Sequence, residues 1–143
     1  MTIHQISVFL ENRAGQLSEI TSLLAENQID LRAINIAETA DYGVVRLIVN
    51  DPARASSILL QHGFILTMTP VVAVAVPDRP GGLAEVLRLL PDEKIDVEYM
   101  YSVFGQVDGL AHMVFRVADT DRLIAVLRAH GIEPIPGETL GVQ

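Results

Sequence analysis

Apolar and polar residues follow two periodicities along the chain, and together they predict alternating strands and helices. Residues 5–10 alternate with the period of two that is typical of a half-buried strand. From Leu17 onward, apolar residues recur at the three- and four-residue spacing of an amphipathic helix. The first half continues with predicted strands at residues 29–37, 44–49 and 65–69, and with a helix that Asp51-Pro52 starts and Gly63 ends.

The second half of the chain repeats the same pattern. It predicts strands at residues 71–76, 97–104, 111–117 and 132–135, with one helix over residues 83–90 and another around residues 123–127. Each half therefore has the order βαββαβ, in which two helices cover one face of a four-stranded antiparallel sheet. The predicted class is α+β, with two tandem ferredoxin-like units at residues 1–69 and 70–143 that meet near Thr69-Pro70.

An internal repeat supports this division. When the sequence is shifted by 66 positions, eight of the 18 residues from Arg13 to Asp30 match those from Arg79 to Asp96. Chance matching would give roughly one or two. Further along, the offset becomes 68, so the second copy carries two extra residues that we place in the loop at 105–110. The equivalent pairs at this second offset are Asp51/Asp119, Arg54/Arg122, Leu59/Leu127, His62/His130 and Gly63/Gly131.

Composition removes several classes of function. The net charge of −8 argues against a nucleic-acid partner, because phosphate binding needs a basic surface. The chain has no cysteine, which excludes disulfides, thiolate metal sites and a cysteine nucleophile. The longest apolar run, residues 71–76, has the length of a strand, so no membrane span is expected. The start of the chain does not resemble a signal peptide, and we expect a cytoplasmic location.

The strand at residues 71–76 is apolar on both faces, and Tyr99 and Tyr101 share one face of another strand. Large apolar patches are unusual on the surface of monomers, so these residues should pack on another sheet or another subunit. We therefore expect an oligomer, most simply a homodimer. The two tyrosines are expected in the core or an interface, and the alternative is that they line a ligand pocket.

The first strand–helix turn of each copy carries the most informative chemistry. Residues 12–17 read Asn-Arg-Ala-Gly-Gln-Leu, and residues 78–83 read Asp-Arg-Pro-Gly-Gly-Leu. The shared glycine lets the backbone approach a ligand closely, and the helix that follows offers free N–H groups suited to a carboxylate. Asn12 or Asp78 would then hold a ligand ammonium group. The alternative is that both residues are plain helix caps and that the glycines only make the turn.

These two turns resemble the (Asn/Asp)-Arg-Pro-Gly-x-Leu motif of ACT domains, which are ferredoxin-like regulatory modules that bind amino acids. Ile29-Asp30-Leu31 and Ile95-Asp96-Val97 are similar to the start of the second strand in that family, and residues 98–102 resemble a segment of small tandem ACT proteins. The chain departs from the motif at Ala14, where proline is usual, and has Asp30 and Asp96 where asparagine is common.

The resemblance implies a binding site between paired ACT domains, in which one domain supplies the turn and its neighbour supplies the start of the second strand. It places Asp96 near the first turn and Asp30 near the second, and the second turn is favoured because it is more acidic. The predicted ligand-binding residues are Asn12, Arg13, Ala14, Gly15, Gln16, Leu17, Asp30, Asp78, Arg79, Pro80, Gly81, Gly82, Leu83, Asp96 and Tyr99.

The leading hypothesis is a non-catalytic sensor that binds a free amino acid and needs no cofactor or metal. One alternative is a homo-oligomeric interaction module without a ligand. Another is a small acylphosphatase-like hydrolase, for which Arg13 and Arg79 would hold the anion. His62 and His130 are interpreted as residues that meet helix C-termini, and Asp119-Thr120-Asp121 as a helix cap instead of a cation site.

Overall fold

The fold is described here from a computed structural model, which describes residues 1–11, 13–38, 42–105 and 107–143. The predicted order of elements is confirmed through most of the chain. The strands are β1 (Ile3–Leu10), β2 (Leu31–Glu38), β3 (Gly43–Val49), β4 (Ile65–Pro77), β5 (Tyr99–Ser102) and β6 (Leu110–Arg116). The helices are α1 (Gln16–Glu26), α2 (Pro52–Gln61), α3 (Gly82–Leu87) and α4 (Thr120–Ala129), with 3₁₀ turns at Pro91–Glu93 and Gly137–Leu140.

The chain forms two compact units. The N-terminal unit consists of His4–Thr69 together with Gly141–Gln143, and the C-terminal unit consists of Pro70–Leu140 together with Met1–Ile3. Each unit thus includes one end of the chain that sequence order would assign to the other half. In the N-terminal unit the last residue is held in place, because the backbone N–H of Gln143 donates to the Asn50 carbonyl oxygen at 2.7 Å.

In the N-terminal unit the strands lie in the order β2-β3-β1-β4, and β3 pairs antiparallel with both β1 and β2. The period-two pattern of β1 turns Ile6 and Val8 toward the helices, where both are fully buried. The opposite face of β1 carries Gln5 and Ser7, whose side chains are hydrogen bonded to each other at 2.9 Å. The helical residues of the core are Ile20, Leu23 and Leu24 of α1 and Ala55, Ile58 and Leu59 of α2.

In the C-terminal unit β4 pairs with β6 and β6 pairs with β5, all antiparallel. The core packs the helices against alternate residues of β4 and β6, as the repeat predicts. Residues 71–74 are all buried, so both faces of this apolar strand are covered within the chain itself. The core residues are Val72, Val74, Val76, Val86, Leu90, Phe115, Val117, Leu123, Ile124, Val126 and Leu127.

Several predicted elements differ in extent. The strands predicted at residues 65–69 and 71–76 are one continuous strand, β4. Helix α3 ends at Leu87, short of the predicted residue 90. After it the backbone hydrogen bonds run to the third preceding residue, from the Leu89 N–H to the Val86 oxygen at 3.1 Å and from the Leu90 N–H to the Leu87 oxygen at 3.2 Å, as in a 3₁₀ turn. Strand β5 is limited to four residues. The predicted strand at residues 132–135 is wrong as an assigned strand, although the Ile135 N–H donates to the Ala73 carbonyl oxygen at 2.8 Å.

The caps of α2 and α4 are as the repeat predicts. The carboxylate of Asp51 accepts from the Arg54 N–H at 3.2 Å, and that of Asp119 accepts from the Arg122 N–H at 3.1 Å. Of the predicted hairpin turn at residues 38–43, residues 39–41 lie outside the described residues. Across the described ranges, no helix has the length and apolar character that a membrane span requires.

Candidate ligand-binding site

The first strand–helix turn is built around Gly15, whose φ of 85° and ψ of −6° are left-handed. Only glycine adopts this conformation without steric cost, which explains the residue at the point where the chain enters α1. Among the described residues, no side chain caps the start of α1. The first N–H groups of the helix have no intrahelical partner and lie at the positive end of its dipole, so this end of α1 suits an anion.

A cavity of about 230 Å³ opens beside this turn. The sheet register supplies its other wall, because Gly43 of β3 pairs with Leu10 of β1 on one side and with Glu38 of β2 on the other. The ends of β2 and β3 are thereby held next to the end of β1, where the turn begins. The cavity, called here the turn cavity, is lined by Leu10, Glu11, Arg13, Gly15, Gln16, Leu17, Ile36, Glu38 and Gly43.

Arg13 lies between two carboxylates at the edge of the turn cavity. Its guanidinium nitrogens are 3.5 Å from a Glu11 oxygen and 3.6 Å from a Glu19 oxygen. All three side chains are at least half exposed, so solvent screens these ion pairs strongly. Glu38 also lines the cavity, so its wall carries two carboxylates and one guanidinium and is acidic on balance, while the adjacent helix end attracts anions. The two features together suit a zwitterion.

Gln16 is the first residue of α1, and its side chain is buried with only 6% exposure. Its carbonyl oxygen Oε1 is buried and finds no hydrogen-bond partner in the described part of the chain. A buried polar atom without a partner costs about 1–3 kcal/mol of stability. Such an atom therefore calls for a specific explanation.

A second cavity of about 300 Å³ shares Leu10, Glu11 and Gln16 with the turn cavity. Its remaining wall is mostly apolar and includes the ring pair of Phe9 and Tyr42, whose centroids are 6.5 Å apart. We call it the apolar cavity. Its lining residues are Phe9, Leu10, Glu11, Gln16, Tyr42, Gly63, Phe64 and Ile65.

The second strand–helix turn has the same backbone and a different surrounding. Gly81 is again left-handed, with φ of 86°, but α3 is only six residues long. One Arg79 nitrogen, Nη2, lies 2.9 and 3.1 Å from the two carboxylate oxygens of Glu85. Gly82 stands where the first copy has Gln16, and a Cβ on Gly82 would collide with the Pro77 carbonyl oxygen. The second turn therefore has no room for the side chain that lines the first.

Asp78 is exposed, and its backbone N–H donates to the Gly109 carbonyl oxygen at 2.9 Å. The residue that caps α3 is Gly81, with no side-chain cap bond from the described residues, so the interpretation of Asp78 as a plain helix cap is wrong. Asn12, its counterpart in the first copy, lies outside the described residues. Pro80 and Ala14 are exposed in their turns, while Leu83 and Leu17 pack partly against the cores of their units.

The predicted second-strand residues are all placed, each within its own unit. Asp30 accepts from Arg32 at 3.1 Å, and its backbone N–H donates to the Asn50 side chain at 2.9 Å. Asp96 is exposed and lines a separate cavity of about 300 Å³ in the C-terminal unit. The Tyr99 ring is stacked on Tyr101, with centroids 6.4 Å apart and planes 15° apart. The expected pairing of Asp96 with the first turn and Asp30 with the second stays a prediction.

Of the residues predicted for the first turn, the structure brings Arg13, Gly15, Gln16 and Leu17 together around one cavity. Sequence reasoning missed the residues that strand pairing and loops add to the two cavities. Those at the ends of β2 and β3 could have been found by pairing the predicted hairpin with β1, since the glycine at its end marks the register. The missed residues are Phe9, Leu10, Glu11, Ile36, Glu38, Tyr42, Gly43, Gly63, Phe64 and Ile65.

The two histidines at the helix ends have the predicted structural role. The Nδ1 atom of His62 lies 2.9 Å from the Ile58 carbonyl oxygen, and that of His130 lies 3.0 Å from the Val126 carbonyl oxygen. Within the described ranges, no cluster of three or more metal-binding side chains occurs.

Comparison with known proteins decides the family. The family model for the ACT domain pair matches residues 1–140. The chain belongs to the ACT domain pair family. A crystal structure of a Bacteroides thetaiotaomicron protein shares 39% identity with this ACT domain pair and has a TM-score of 0.91, over 99% of this chain and 96% of that one.

More distant structures share the fold alone. The ligand-free regulatory subunit of aspartate kinase from Thermus thermophilus is 16% identical, with a TM-score of 0.64 over 90% of each chain. The same subunit from Thermus flavus is 17% identical, with a TM-score of 0.57 over 91% of this chain and 94% of that one. The curated proteins gave no significant match to the sequence. The ferredoxin-like α+β class predicted from the sequence is confirmed.

Proposed function

We propose that this ACT domain pair is a non-catalytic regulatory protein that binds a free amino acid at its first strand–helix turn. The observation that carries the proposal is the turn cavity of about 230 Å³, which is open at Gly15 and at the start of α1. The α-carboxylate would accept from the free N–H groups at the helix end. Its ammonium group would face the acidic wall that Glu11 and Glu38 provide. Binding would shift the population of conformations or assemblies and so report the concentration of the amino acid.

The charge arrangement supports this reading over the hydrolase alternative. An acylphosphatase-like site needs an arginine that is free to hold a phosphoryl group. Arg13 lies near Glu11 and Glu19, and Arg79 is hydrogen bonded to Glu85. Either arginine would have to leave a carboxylate before it could bind an anionic substrate. A zwitterion carries its own cation, which can face Glu38 while Arg13 stays near Glu11 and Glu19.

We also propose that the protein is a homodimer. Residues 71–74 are buried within the chain, so the apolar character of that strand no longer calls for a partner subunit. The N-terminal unit gives a different reason to expect a partner subunit, because it exposes large apolar side chains. Phe9, Tyr42 and Ile65 are 42%, 48% and 69% exposed. They lie around the apolar cavity, so a second copy seated there would cover a bound ligand. Light scattering would then give twice the chain mass of 15.6 kDa, and a mass of one chain would overturn the dimer.

The decisive experiment is a thermal-shift screen of the twenty amino acids against the full chain. A ligand at 100 times its dissociation constant adds about 2.7 kcal/mol of stability. The variant Gly15→Ala places a methyl group where a ligand would lie, since nothing described in the chain occupies that space. Its control is Gly131→Ala, which meets the same left-handed strain at φ of 76° in equally open space. Loss of the shift in the first variant alone supports the proposal, and no shift with any amino acid refutes it.

A further inference from the structure

The unpartnered oxygen of Gln16 gives information about the chemical class of the ligand that the turn alone does not give. Its side chain is more than nine-tenths buried, lines both cavities and presents an acceptor without a partner among the described residues. A glutamine Oε1 accepts hydrogen bonds and never donates them. The partner that Oε1 lacks among the described residues is therefore a donor, and Gln16 lines two cavities from which a ligand could supply one.

The two cavities differ in chemistry, and the difference matches the two ends of one kind of molecule. The turn cavity has the helix end, the carboxylates of Glu11 and Glu38, and the guanidinium of Arg13. Among the described residues that line it, the apolar cavity has five large apolar or aromatic side chains and one charged group, Glu11. Its volume of about 300 Å³ exceeds that of the turn cavity. Its apolar residues are Phe9, Leu10, Tyr42, Phe64 and Ile65.

We propose that the ligand is an amino acid with a large apolar side chain, of the leucine, methionine or phenylalanine class, and that Gln16 is its specificity-determining residue. The inference rests on the proposed function. The α-carboxylate lies at the start of α1, the α-ammonium donates to Gln16 Oε1, and the side chain fills the apolar cavity. An ammonium donor makes this a hydrogen bond to a charged group, which is stronger than a neutral one.

Other amino acids fit this arrangement less well. An acidic ligand side chain would be repelled by Glu11 in the apolar cavity. Among the described residues that line this cavity, no lysine or arginine is present to offset that repulsion. A small side chain would leave the apolar wall of Phe9, Tyr42 and Phe64 without contacts, and burial of apolar surface is the main source of affinity there. The second turn cannot make the same selection, because residue 82 is glycine and lies against Pro77.

The test is calorimetric titration of the full chain with leucine, methionine, phenylalanine, glycine, serine, lysine and glutamate. Two substitutions separate the acceptor from the shape of the side chain. Gln16→Met keeps the length and removes the acceptor, while Gln16→Glu keeps an acceptor oxygen in place. The matched control is Gln61→Met, the same change at an exposed residue that lines neither cavity. Titration with 4-methylpentanoate, which is leucine without its ammonium group, tests which donor Gln16 meets.

We expect the large apolar amino acids to bind most tightly. Gln16→Met should weaken leucine binding roughly tenfold or more, the usual worth of a hydrogen bond to a charged group, and Gln61→Met should change it by less than about twofold. Gln16→Glu should keep leucine binding. Binding of 4-methylpentanoate should be weak and insensitive to Gln16→Met, because it lacks the donor.

Two results would overturn the inference while leaving the proposed function intact. One is tighter binding of glycine, serine, lysine or glutamate than of the apolar amino acids. The other is equal weakening of leucine and 4-methylpentanoate by Gln16→Met, which would make Gln16 a packing residue. Failure of every amino acid to bind would instead refute the proposed function itself.

Discussion

The carbonyl oxygen of Pro77 occupies the space that a side chain on Gly82 would need. The equivalent residue of the first copy is Gln16, which has a long buried side chain in that place. The two turns thus share a left-handed glycine and differ in the residue that follows it. The repeat preserved the backbone of the turn, while the chemistry beside it diverged.

Gly82→Ala should destabilise the protein by about 2–3 kcal/mol, because the added methyl group must displace backbone atoms in a packed region. Chemical denaturation followed by circular dichroism would measure the change. Gly43→Ala is the control, since a Cβ there would meet its nearest described atom at 3.7 Å, an ordinary contact. It should shift stability by less than about 0.5 kcal/mol. Equal effects of the two substitutions would contradict the assigned contact with Pro77.

Gln16→Met should stabilise the ligand-free protein by about 1 kcal/mol. The substitution removes a buried acceptor that has no partner in the described ranges and keeps a side chain of similar length. The free energy of unfolding in urea, measured without amino acids, would show the gain, and Gln61→Met again serves as the exposed control. A loss of 1 kcal/mol or more would show that the Gln16 amide is satisfied in the free protein. If Gln16→Met is more stable and also binds the ligand more weakly, Gln16 serves function at the expense of stability.

The equivalent aspartates that cap α2 and α4 should contribute equally. Asp51→Ala and Asp119→Ala each remove a side-chain acceptor for a backbone N–H of the first helical turn, so each should cost about 1 kcal/mol. Asparagine at either position should retain most of the stability, because its side-chain oxygen accepts the same hydrogen bond. Urea unfolding of the four single variants would test this. An alanine variant as stable as its asparagine counterpart would show that the cap bond contributes nothing at that helix.

Local patterns in the sequence predicted the elements that local physics controls. The caps at Asp51 and Asp119, and the glycines of the two turns, follow from hydrogen bonds and φ preferences within a few residues. The sequence pattern did not predict the continuity of β4 or the early end of α3. Strand pairing sets the first, and a change to 3₁₀ hydrogen bonds after Leu87, which leaves the apolar spacing unaltered, sets the second. The exchange of chain ends between the units depends on contacts between distant residues, which no periodicity records.

The candidate site likewise has some residues that the sequence motif predicts and others that only the folded structure brings in. The turn motif pointed to Gly15 and its neighbours, but the importance of Gln16 depends on burial and on an absent hydrogen-bond partner among described residues. Neither property can be read from a residue in the variable position of a motif. The wall formed by Glu38 and Gly43 required the register of β1 against β3, and the ring pair of Phe9 and Tyr42 required tertiary packing.

The ion pair of Arg128 and Glu133 should make stability depend on pH. A hydrogen bond from Arg128 is the main cause that lowers the pKa of the Glu133 carboxyl, and burial opposes it. Three nitrogen–oxygen distances of 2.7–3.1 Å join the two side chains. Because the folded-state pKa lies below the unfolded one, the contribution is complete above the unfolded pKa and disappears as pH falls through the folded pKa.

Glu133→Gln should therefore lower the melting temperature slightly at neutral pH, and the difference from the natural chain should vanish in acid. Carboxyl titration by NMR is the direct measurement, with Arg128→Met as the control, since loss of the guanidinium should raise the Glu133 pKa toward its ordinary value. Both side chains are largely exposed, so salt should weaken the effect. An unchanged Glu133 titration in Arg128→Met would show that the two side chains do not pair in solution.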